Sequence, residues 1–341
     1  EMSGECSSRT ELEMPDAQRD LLDALLKTGK PVVLVHFSGR PTVMTWEQQH
    51  VPSILNVWFG GSESADAICD VLFGDVCPSG KLTATFPQNV GQLPMNYNHK
   101  NTGRPLAEGR WFEKFRSNYI DVSNDPLYPF GYGLSYTTFK YSNIKLSAST
   151  LNTEKNDKIK ISVDITNTGK VKGKEVVQLY ITQNMSSVDR PEKELKGFGK
   201  VELNPNETKT VTMEIDKRDL SYYDEIKKEW AAEPGKYTIK VGASSKDIKL
   251  ELALKVIGNL DKYLVTESSS WRVLQENKNI CKIVAKYVGY DAVIEAVWFG
   301  DVSFADFLKG KFEKNLELKG KTDKQKELIS KIIKEVNELY N

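Results

Sequence analysis

The stretch Pro31-Val-Val-Leu-Val-His-Phe37 decides how the first part of the chain folds. Its side chains are mostly apolar at consecutive positions, so both faces of a strand formed here would be hidden from water. The stretch Ser53-Ile-Leu-Asn-Val-Trp-Phe59 has the same character. Strands that are apolar on both faces are typical of parallel sheets covered by helices, and we therefore predict two fully buried parallel strands.

Helical patterns flank these strands. The leucines between Asp16 and Lys27 recur at helical spacing, and Gly29 then ends the predicted helix. A second helix is predicted from Glu63 to Phe73. This alternation predicts an α/β/α sandwich with a mainly parallel sheet, which we assign to residues 1–139.

Each predicted strand leads into a loop that contains glycine, Phe37-Ser-Gly39 and Trp58-Phe-Gly-Gly61. Ligands of open parallel sheets lie beyond the carboxyl ends of the strands, so these loops are candidate site loops. An equally good interpretation is that their glycines only form tight turns.

Residues 87–139 are rich in Pro, Asn, Gly, Arg and aromatic side chains. A segment this long without regular structure is usually functional or wraps a neighbouring domain. Phe130 and Tyr132, in the run Leu127-Tyr-Pro-Phe-Gly-Tyr-Gly-Leu-Ser-Tyr136, are candidates for a sugar-binding surface. Such rings more often pack one domain against another, and that interpretation stays open beside the first.

Residues 140–257 are predicted to form an antiparallel β-sandwich. Four stretches alternate apolar and polar side chains with a period of two, namely Lys158 to Ile165, Glu175 to Ile181, Thr208 to Ile215 and Lys236 to Val241. Turn residues such as Asn167-Thr-Gly169 separate them. This spacing is typical of immunoglobulin-like and fibronectin type III-like domains.

Residues 258–341 are predicted to form a small helical appendage. Short helices are predicted from Ile280 to Val288 and from Ala292 to Phe299, and a longer amphipathic helix covers residues 323–340. Packing of its apolar face inside the appendage is the plain interpretation. The alternative is that this face binds a partner or a second copy in a homodimer.

Composition narrows the classes of function. The chain has 47 basic and 47 acidic residues, so no net charge attracts nucleic acid or an anionic membrane. Its apolar stretches are too short to span a bilayer, and no signal peptide is visible, so we expect a soluble protein, either cytoplasmic or exported. No cofactor or metal is expected, because no metal-ligand spacing links the four cysteines and three histidines Cys6, Cys69, Cys77, Cys281, His36, His50 and His99.

A series of motifs in fixed order carries a family resemblance. The motifs are Gly4-Glu-Cys-Ser-Ser-Arg-Thr10, Ser38-Gly-Arg-Pro41, Val71-Leu-Phe-Gly-Asp75, Pro78-Ser-Gly-Lys-Leu82, Thr85-Phe-Pro87 and Pro129-Phe-Gly-Tyr-Gly-Leu-Ser-Tyr136, followed in the sandwich by Val188-Asp-Arg-Pro-Glu-Lys-Glu-Leu-Lys-Gly-Phe198 and Asp219-Leu-Ser-Tyr-Tyr-Asp224. Together they resemble the C-terminal portion of glycoside hydrolase family 3, the β-glucosidase and β-xylosidase family. The resemblance implies an α/β sandwich followed by a fibronectin type III-like domain.

The resemblance also implies a role for Glu5. In that family an N-terminal (β/α)8 barrel carries the aspartate nucleophile, and the following domain supplies the general acid/base. By motif match Glu5 occupies the acid/base position, with Glu1 as the rival carboxylate. Arg9 could position the loop or the carboxylate, or form a plain domain-interface salt bridge. The implied substrate is a β-linked glucoside or xyloside oligosaccharide.

A (β/α)8 barrel needs roughly 200 residues or more, and none precedes Glu1. We therefore expect little or no glycosidase activity from this chain alone. An alternative is a non-catalytic module that binds carbohydrate or a partner protein. A third arrangement, with a barrel after the sandwich, is disfavoured by the helical appendage.

Overall fold

The structure is a computed structural model. It describes residues 3–4, 6–100, 104–106, 109–155, 157–184, 186, 188–224, 228–258, 265–275, 277–295 and 302–340.

The first part of the chain alternates helices and strands, as predicted. Its elements are β1 (Ser3–Gly4), β2 (Ser7–Ser8), α1 (Asp16–Leu26), β3 (Val33–His36), α2 (Thr45–His50), β4 (Ser53–Asn56) and α3 (Ser64–Phe73). Strands β3 and β4 pair in parallel, with Val33 opposite Ser53 and His36 opposite Asn56. Gly29, with a φ of 72°, closes α1 through a bond from its N–H to the Leu26 carbonyl at 3.1 Å.

The prediction that β3 and β4 are fully buried is wrong. Val33 is 47% exposed, and His36 is the only residue of β3 that is buried. Helix α3 has no buried residue, and α1 has one, Leu22. The physical reason is that β3 pairs only with β4 among the described residues, so the helices have no wide sheet to cover.

The segment after α3 is mostly irregular. Its only regular piece among the described residues is a 3-10 turn at Val90–Gln92. Two of its stretches pair with each other, because Phe86 bridges Tyr128 in antiparallel fashion and the Leu82 N–H donates to the Tyr132 carbonyl at 2.8 Å. Phe86 is buried and anchors this pairing.

Two sheets form the predicted β-sandwich. Its elements are β5 (Phe139–Leu146), β6 (Thr150–Asn152), β7 (Ile159–Asn167), β8 (Gly173–Gln183), β9 (Glu194–Leu203), β10 (Thr208–Ile215), α4 (Lys217–Leu220), β11 (Tyr222–Asp224), β12 (Glu229–Ala231), β13 (Gly235–Gly242) and β14 (Ile248–Ile257). The strand order is β10-β7-β5 in one sheet and β6-β14-β13-β8-β9 in the other, and β11 pairs with β12. All pairings are antiparallel except that of β6 with β14, which departs from the prediction of a purely antiparallel sandwich.

The alternating pattern of the sequence produces the core between these sheets. In β7 every second side chain is buried, and the apolar members of this set are Ile159, Ile161, Val163 and Ile165. Strands β8 and β13 supply the opposite side with Val177, Leu179, Ile239 and Val241, none of which is measurably exposed. A period of two places one face of each strand inward, so the sandwich closes around its own apolar side chains.

The last part of the chain is helical and has a core of its own. Its helices are α5 (Trp271–Leu274), α6 (Lys278–Val288), α7 (Tyr290–Glu295), α8 (Phe304–Phe312) and α9 (Thr322–Asn337). The Trp271 ring stacks on Phe307 at 4.1 Å and on Phe304 at 5.5 Å. The predicted end of the second short helix, residues 296–299, lies outside the described residues.

Helix α9 confirms the predicted amphipathic helix, with Ile329, Ile332 and Val336 buried. Leu339, inside the range predicted for this amphipathic helix, is instead 43% exposed. A 3-10 turn replaces the α-helix from Glu338, and its tighter winding moves Leu339 off the apolar face. The domain boundaries near residues 139 and 257 stay predictions.

Candidate functional site

The segment that carries Glu5 is a short antiparallel ribbon. Ser3 lies opposite Ser8, and Gly4 lies opposite Ser7. Cys6, in the connection between the two strands, has a left-handed backbone with a φ of 59°. Glu5 and its rival Glu1 lie outside the described residues, so the role of Glu5 stays a prediction.

The chain just after this ribbon is attached to the rest of the α/β region. The Val43 N–H donates to the Leu12 carbonyl at 2.9 Å, and Glu13 bridges Val43 in parallel. Arg19 of α1 donates to Glu13 at 3.0 Å and to Glu47 of α2 at 3.4 Å. The ribbon is therefore followed by a segment that both backbone bonds and ion pairs fix in place.

Glu47 is a buried carboxylate that the sequence did not single out. Its side chain is 0% exposed, and Oε2 has no hydrogen-bond partner among the described residues. Helix α2 has six residues, which is too short for a hydrophobic period to mark which face is buried. The signal available in the sequence was the position of Glu47 directly after an aromatic residue, Trp46. In the structure the Arg19 guanidinium lies over the Trp46 ring at 5.7 Å.

Arg9 forms a salt bridge with Glu11 at 3.4 Å, and its side chain is 30% exposed. Glu11 lies two residues away in the same segment, so this pair does not test the predicted domain-interface salt bridge, and the role of Arg9 stays a prediction.

The two loops beyond β3 and β4 lie together, as their place in a parallel sheet predicts. His36 Nδ1 and Asn56 Oδ1 are 2.8 Å apart at the strand ends. A Cβ atom on Gly39 would stand 2.6 Å from the ring of Phe59, so a larger residue there would have to displace that exposed ring. Trp58 has a φ of 54°, unusual for a bulky residue, and its ring packs against Phe86 at 5.6 Å.

Phe130 and Tyr132 take part in packing. The Phe130 ring stacks on Tyr97 at 4.2 Å, and its carbonyl accepts a bond from the Ser245 N–H at 2.9 Å. The Tyr132 ring stacks on Tyr128 at 5.2 Å, and burial raises the pKa of the Tyr132 hydroxyl. These contacts favour the packing interpretation, while a direct role in sugar binding stays a prediction.

The loop between β8 and β9 joins three parts of the molecule. Asp189 lies 3.1 Å from Arg272 of α5 and 3.9 Å from Lys100. Arg190 instead turns into the sandwich, where it binds Glu194 at 2.7 Å and the Leu220 carbonyl at 3.2 Å.

The histidines make ordinary structural contacts. His36 Nδ1 lies within hydrogen-bond distance of Asn56 Oδ1. His50 Nδ1 forms a hydrogen bond with the Trp46 carbonyl at 2.7 Å, and His99 Nδ1 forms one with the Lys100 carbonyl at 3.1 Å. Within the described part of the chain, no group of three or more His, Cys, Asp or Glu side chains could hold a metal ion. No helix in that part is long and apolar enough to cross a membrane.

Comparison with known proteins places this chain in a family. Residues 1–136 match the glycosyl hydrolase family 3 C-terminal domain, and residues 175–245 match a fibronectin type III-like domain. The periplasmic beta-glucosidase of Salmonella typhimurium is 48% identical over 73% of this chain and 32% of its own length. Thermostable beta-glucosidase B of Acetivibrio thermocellus is 42% identical over 75% of this chain and 34% of its own length.

A solved structure agrees with these matches. The beta-glucosidase of Listeria innocua in complex with glucose superposes with a TM-score of 0.70 at 39% identity, covering 75% of this chain and 35% of that one. The chain spans about a third of the length of the curated relatives it matches. It belongs to glycoside hydrolase family 3, and it carries the C-terminal α/β domain and the fibronectin type III-like domain of that family.

Proposed function

We propose that this chain supplies the general acid/base, Glu5, of a retaining β-glucosidase-like hydrolase. The observation that carries the proposal is the run Gly4-Glu-Cys-Ser-Ser-Arg-Thr10 at the head of a domain that matches family 3 over residues 1–136. A (β/α)8 barrel outside these 341 residues would supply the aspartate nucleophile. Alone, residues 1–341 are expected to show little or no hydrolysis.

The proposed reaction has two steps. The aspartate attacks the anomeric carbon while the Glu5 carboxyl gives its proton to the leaving glycosidic oxygen, which forms a covalent glycosyl-enzyme. The Glu5 carboxylate then takes a proton from water as that water attacks the same carbon and displaces the aspartate carboxylate, which breaks the covalent bond to the enzyme. Two inversions at one carbon return the product with its original β configuration.

The attachment of the segment that follows Glu5 supports this role. Acid/base catalysis needs a carboxyl group held within hydrogen-bond reach of the reacting oxygen. The segment that follows the ribbon is fixed by the contacts of Val43 with Leu12 and of Arg19 with Glu13 and Glu47. These contacts attach the chain at Leu12 and Glu13, a few residues after the ribbon, to the rest of the α/β region.

The proposed substrates are β-linked glucosides or xylosides. Relatives bear both names, since the beta-xylosidase of Formosa agariphila is 43% identical over 71% of this chain and 32% of its own length. The preference for glucosides or xylosides would depend on the barrel, because its pocket would bind the sugar unit whose anomeric carbon reacts.

A chimera tests the proposal. This chain replaces the matching third of the Salmonella enzyme, and hydrolysis of an aryl β-glucoside is measured. Glu5→Ala should lower kcat by about 10²- to 10⁴-fold. Azide should restore turnover and yield the β-glucosyl azide, because it attacks the glycosyl-enzyme without needing a base.

The matched control is Glu11→Ala, since Glu11 is a neighbouring carboxylate whose side chain is 83% exposed. Its activity should stay close to that of the unmodified chimera. An active chimera that is unaffected by Glu5→Ala would overturn the assignment of Glu5.

A further inference from the structure

A cleft of about 460 Å³ lies where the segment after β4 and α3 meets two loops of the sandwich. Asn96, His99 and Tyr119 line it on one side, and Glu192 and Lys246 line it on the other. Its volume is in the range of sites that bind small molecules, about 300–1,000 Å³. None of the described residues of its wall comes from the Glu5 ribbon.

Stacked rings and backbone bonds hold the floor of the cleft in place. Tyr97 stacks on Phe130 at 4.2 Å, and the Tyr97 hydroxyl accepts a bond from the Leu195 N–H at 3.1 Å. The Ser245 N–H donates to the Phe130 carbonyl at 2.9 Å. These contacts join the α/β region to the sandwich directly beneath the cleft.

The side walls are joined in the same way. Lys100 bridges Pro191 in antiparallel fashion, and the Glu192 N–H donates to the His99 carbonyl at 3.3 Å. A wall that is already formed loses little entropy when a ligand enters. The cleft is therefore preorganised from both sides.

Several polar groups on these walls are not used by the fold. The side chains of Asn96, Tyr119 and Glu192 make no hydrogen bond or ion pair with any other residue in the described ranges. Together they offer an amide, a hydroxyl and a carboxylate, which both donate and accept hydrogen bonds. Sugar hydroxyl groups also donate and accept, so this set is complementary to them.

Carboxylates offset much of the positive charge at the cleft. Lys246 pairs with Asp125 at 2.9 Å, and Lys100 lies 3.9 Å from Asp189. Glu192 adds a carboxylate to the wall, and the Lys193 ammonium donates to the Ser245 carbonyl at 2.7 Å, so the cleft has no strong preference for an anionic ligand. The Tyr119 side chain is 38% exposed and offers an apolar ring face to a sugar ring.

We propose that this cleft binds a neutral, β-linked oligosaccharide. The choice of β-linked glucose and xylose units rests on the proposed function, whereas the binding groups are those of the cleft itself. The site would hold carbohydrate on the junction between the α/β region and the sandwich, and it needs neither Glu5 nor a barrel.

Titration of the full chain tests the proposal. Cellobiose and xylobiose are added and followed by ligand-observed saturation-transfer NMR, with maltose as the α-linked comparison. The β-linked sugars should bind saturably and more tightly than maltose. Tyr119→Ala, Asn96→Ala and Glu192→Gln should each weaken binding about 2- to 10-fold, the loss expected for one ring contact or hydrogen bond.

Tyr223→Ala is the matched control, because Tyr223 is 49% exposed on β11 and lies outside the cleft. It should leave the affinity unchanged. The substituted cleft residues are partly or fully exposed, so the variants should fold, which backbone circular dichroism checks. Absence of saturable binding, or binding that all three cleft variants leave unchanged, would overturn the proposal.

Glu5→Gln separates this proposal from the catalytic one. It should leave the cleft titration unchanged while it lowers hydrolysis by the chimera. If Glu5→Gln abolishes sugar binding by the chain, the sugar binds at the Glu5 segment and the cleft proposal is wrong. If the cleft variants weaken binding but Glu5→Ala leaves the chimera fully active, only the catalytic proposal fails.

Discussion

The α/β region and the β-sandwich both have apolar sequences, but they bury them to different extents. In the sandwich, strands β7, β8 and β13 place their inward side chains fully out of water. In the α/β region, Leu21 is 61% exposed, Phe59 is 76% exposed and Phe73 is 81% exposed. The same kind of side chain is therefore core in one region and surface in the other.

This difference shows that the two regions depend on their surroundings in different ways. The sandwich has two complete sheets whose inner faces cover each other. The parallel sheet of the α/β region has two strands among the described residues, and two strands cannot bury two helices. Its stability should therefore depend more on contacts with neighbouring structure.

The largest expected effect is a loss of stability in the sandwich. Leu179→Ala removes a side chain that is 0% exposed and should lower the free energy of unfolding of the sandwich by about 2–5 kcal/mol. The same substitution at Leu21 should change stability by less than about 0.5 kcal/mol. Urea unfolding followed by hydrogen exchange of each region measures both effects.

The same two variants could also contradict the difference drawn between the α/β region and the sandwich. If Leu21→Ala destabilises α1 as much as Leu179→Ala destabilises β8, the exposed apolar side chains of the α/β region are covered in solution. Self-association of the chain would be the first explanation to check, by measuring the oligomeric state of both variants.

A smaller effect is expected at the connection between the two regions. The buried side chain of Gln178 donates to the carbonyls of Gly131 at 3.0 Å and Ala243 at 2.7 Å, and it accepts from the Tyr180 hydroxyl at 2.6 Å. Gln178→Ala leaves these groups without a partner and should cost about 1–3 kcal/mol. Hydrogen exchange near Gly131 should increase as well.

The matched control is Gln48→Ala, because Gln48 is an exposed glutamine of α2. Its effect should be within about 0.5 kcal/mol. Unchanged exchange near Gly131 in the Gln178 variant would mean that this side chain does not hold the two regions together.

The smallest expected effect is a loss of stability of the sandwich at low pH. Burial alone raises the pKa of Glu194, but the hydrogen bond and charge of Arg190, aided by Lys196, outweigh it and hold that pKa below its ordinary value of 4.5. The pair therefore stabilises the sandwich above pH 4.5, and this contribution is lost as the pH falls through the lowered pKa. The loss should be about 1 kcal/mol or less.

Thermal unfolding between pH 6 and pH 3 checks this prediction, since Glu194→Gln should flatten the dependence on pH. An equally steep dependence in that variant would assign the acid sensitivity to other carboxylates.

Sequence patterns predicted the sandwich better than they predicted the α/β region. Alternation in β7 and β10 reports burial directly, because one face of each strand meets the opposite sheet. Apolar runs such as Pro31 to Phe37 predicted the strand but not its exposure, since exposure depends on how many strands lie beside it. The cleft could not be predicted, because Asn96, Tyr119 and Glu192 are far apart in sequence and are brought together by the packing of two regions.

The acid/base candidate was predicted from a motif alone, and residues 5 and 1 lie outside the described part. Glu47 was missed because a helix of six residues has no readable period. Phe130 and Tyr132 lie in ring stacks, but their sequence could not distinguish a sugar-binding surface from packing of this kind.

Asp189 is a counter-ion shared by all three parts of the chain, with Arg272 on one side and Lys100 on the other. The two pairs should respond differently to ionic strength. The Lys100 side chain is 60% exposed and 3.9 Å away, whereas Arg272 is 18% exposed and 3.1 Å away. Dissolved ions screen exposed charges first, so added salt should loosen the α/β region from this loop before it loosens the helices.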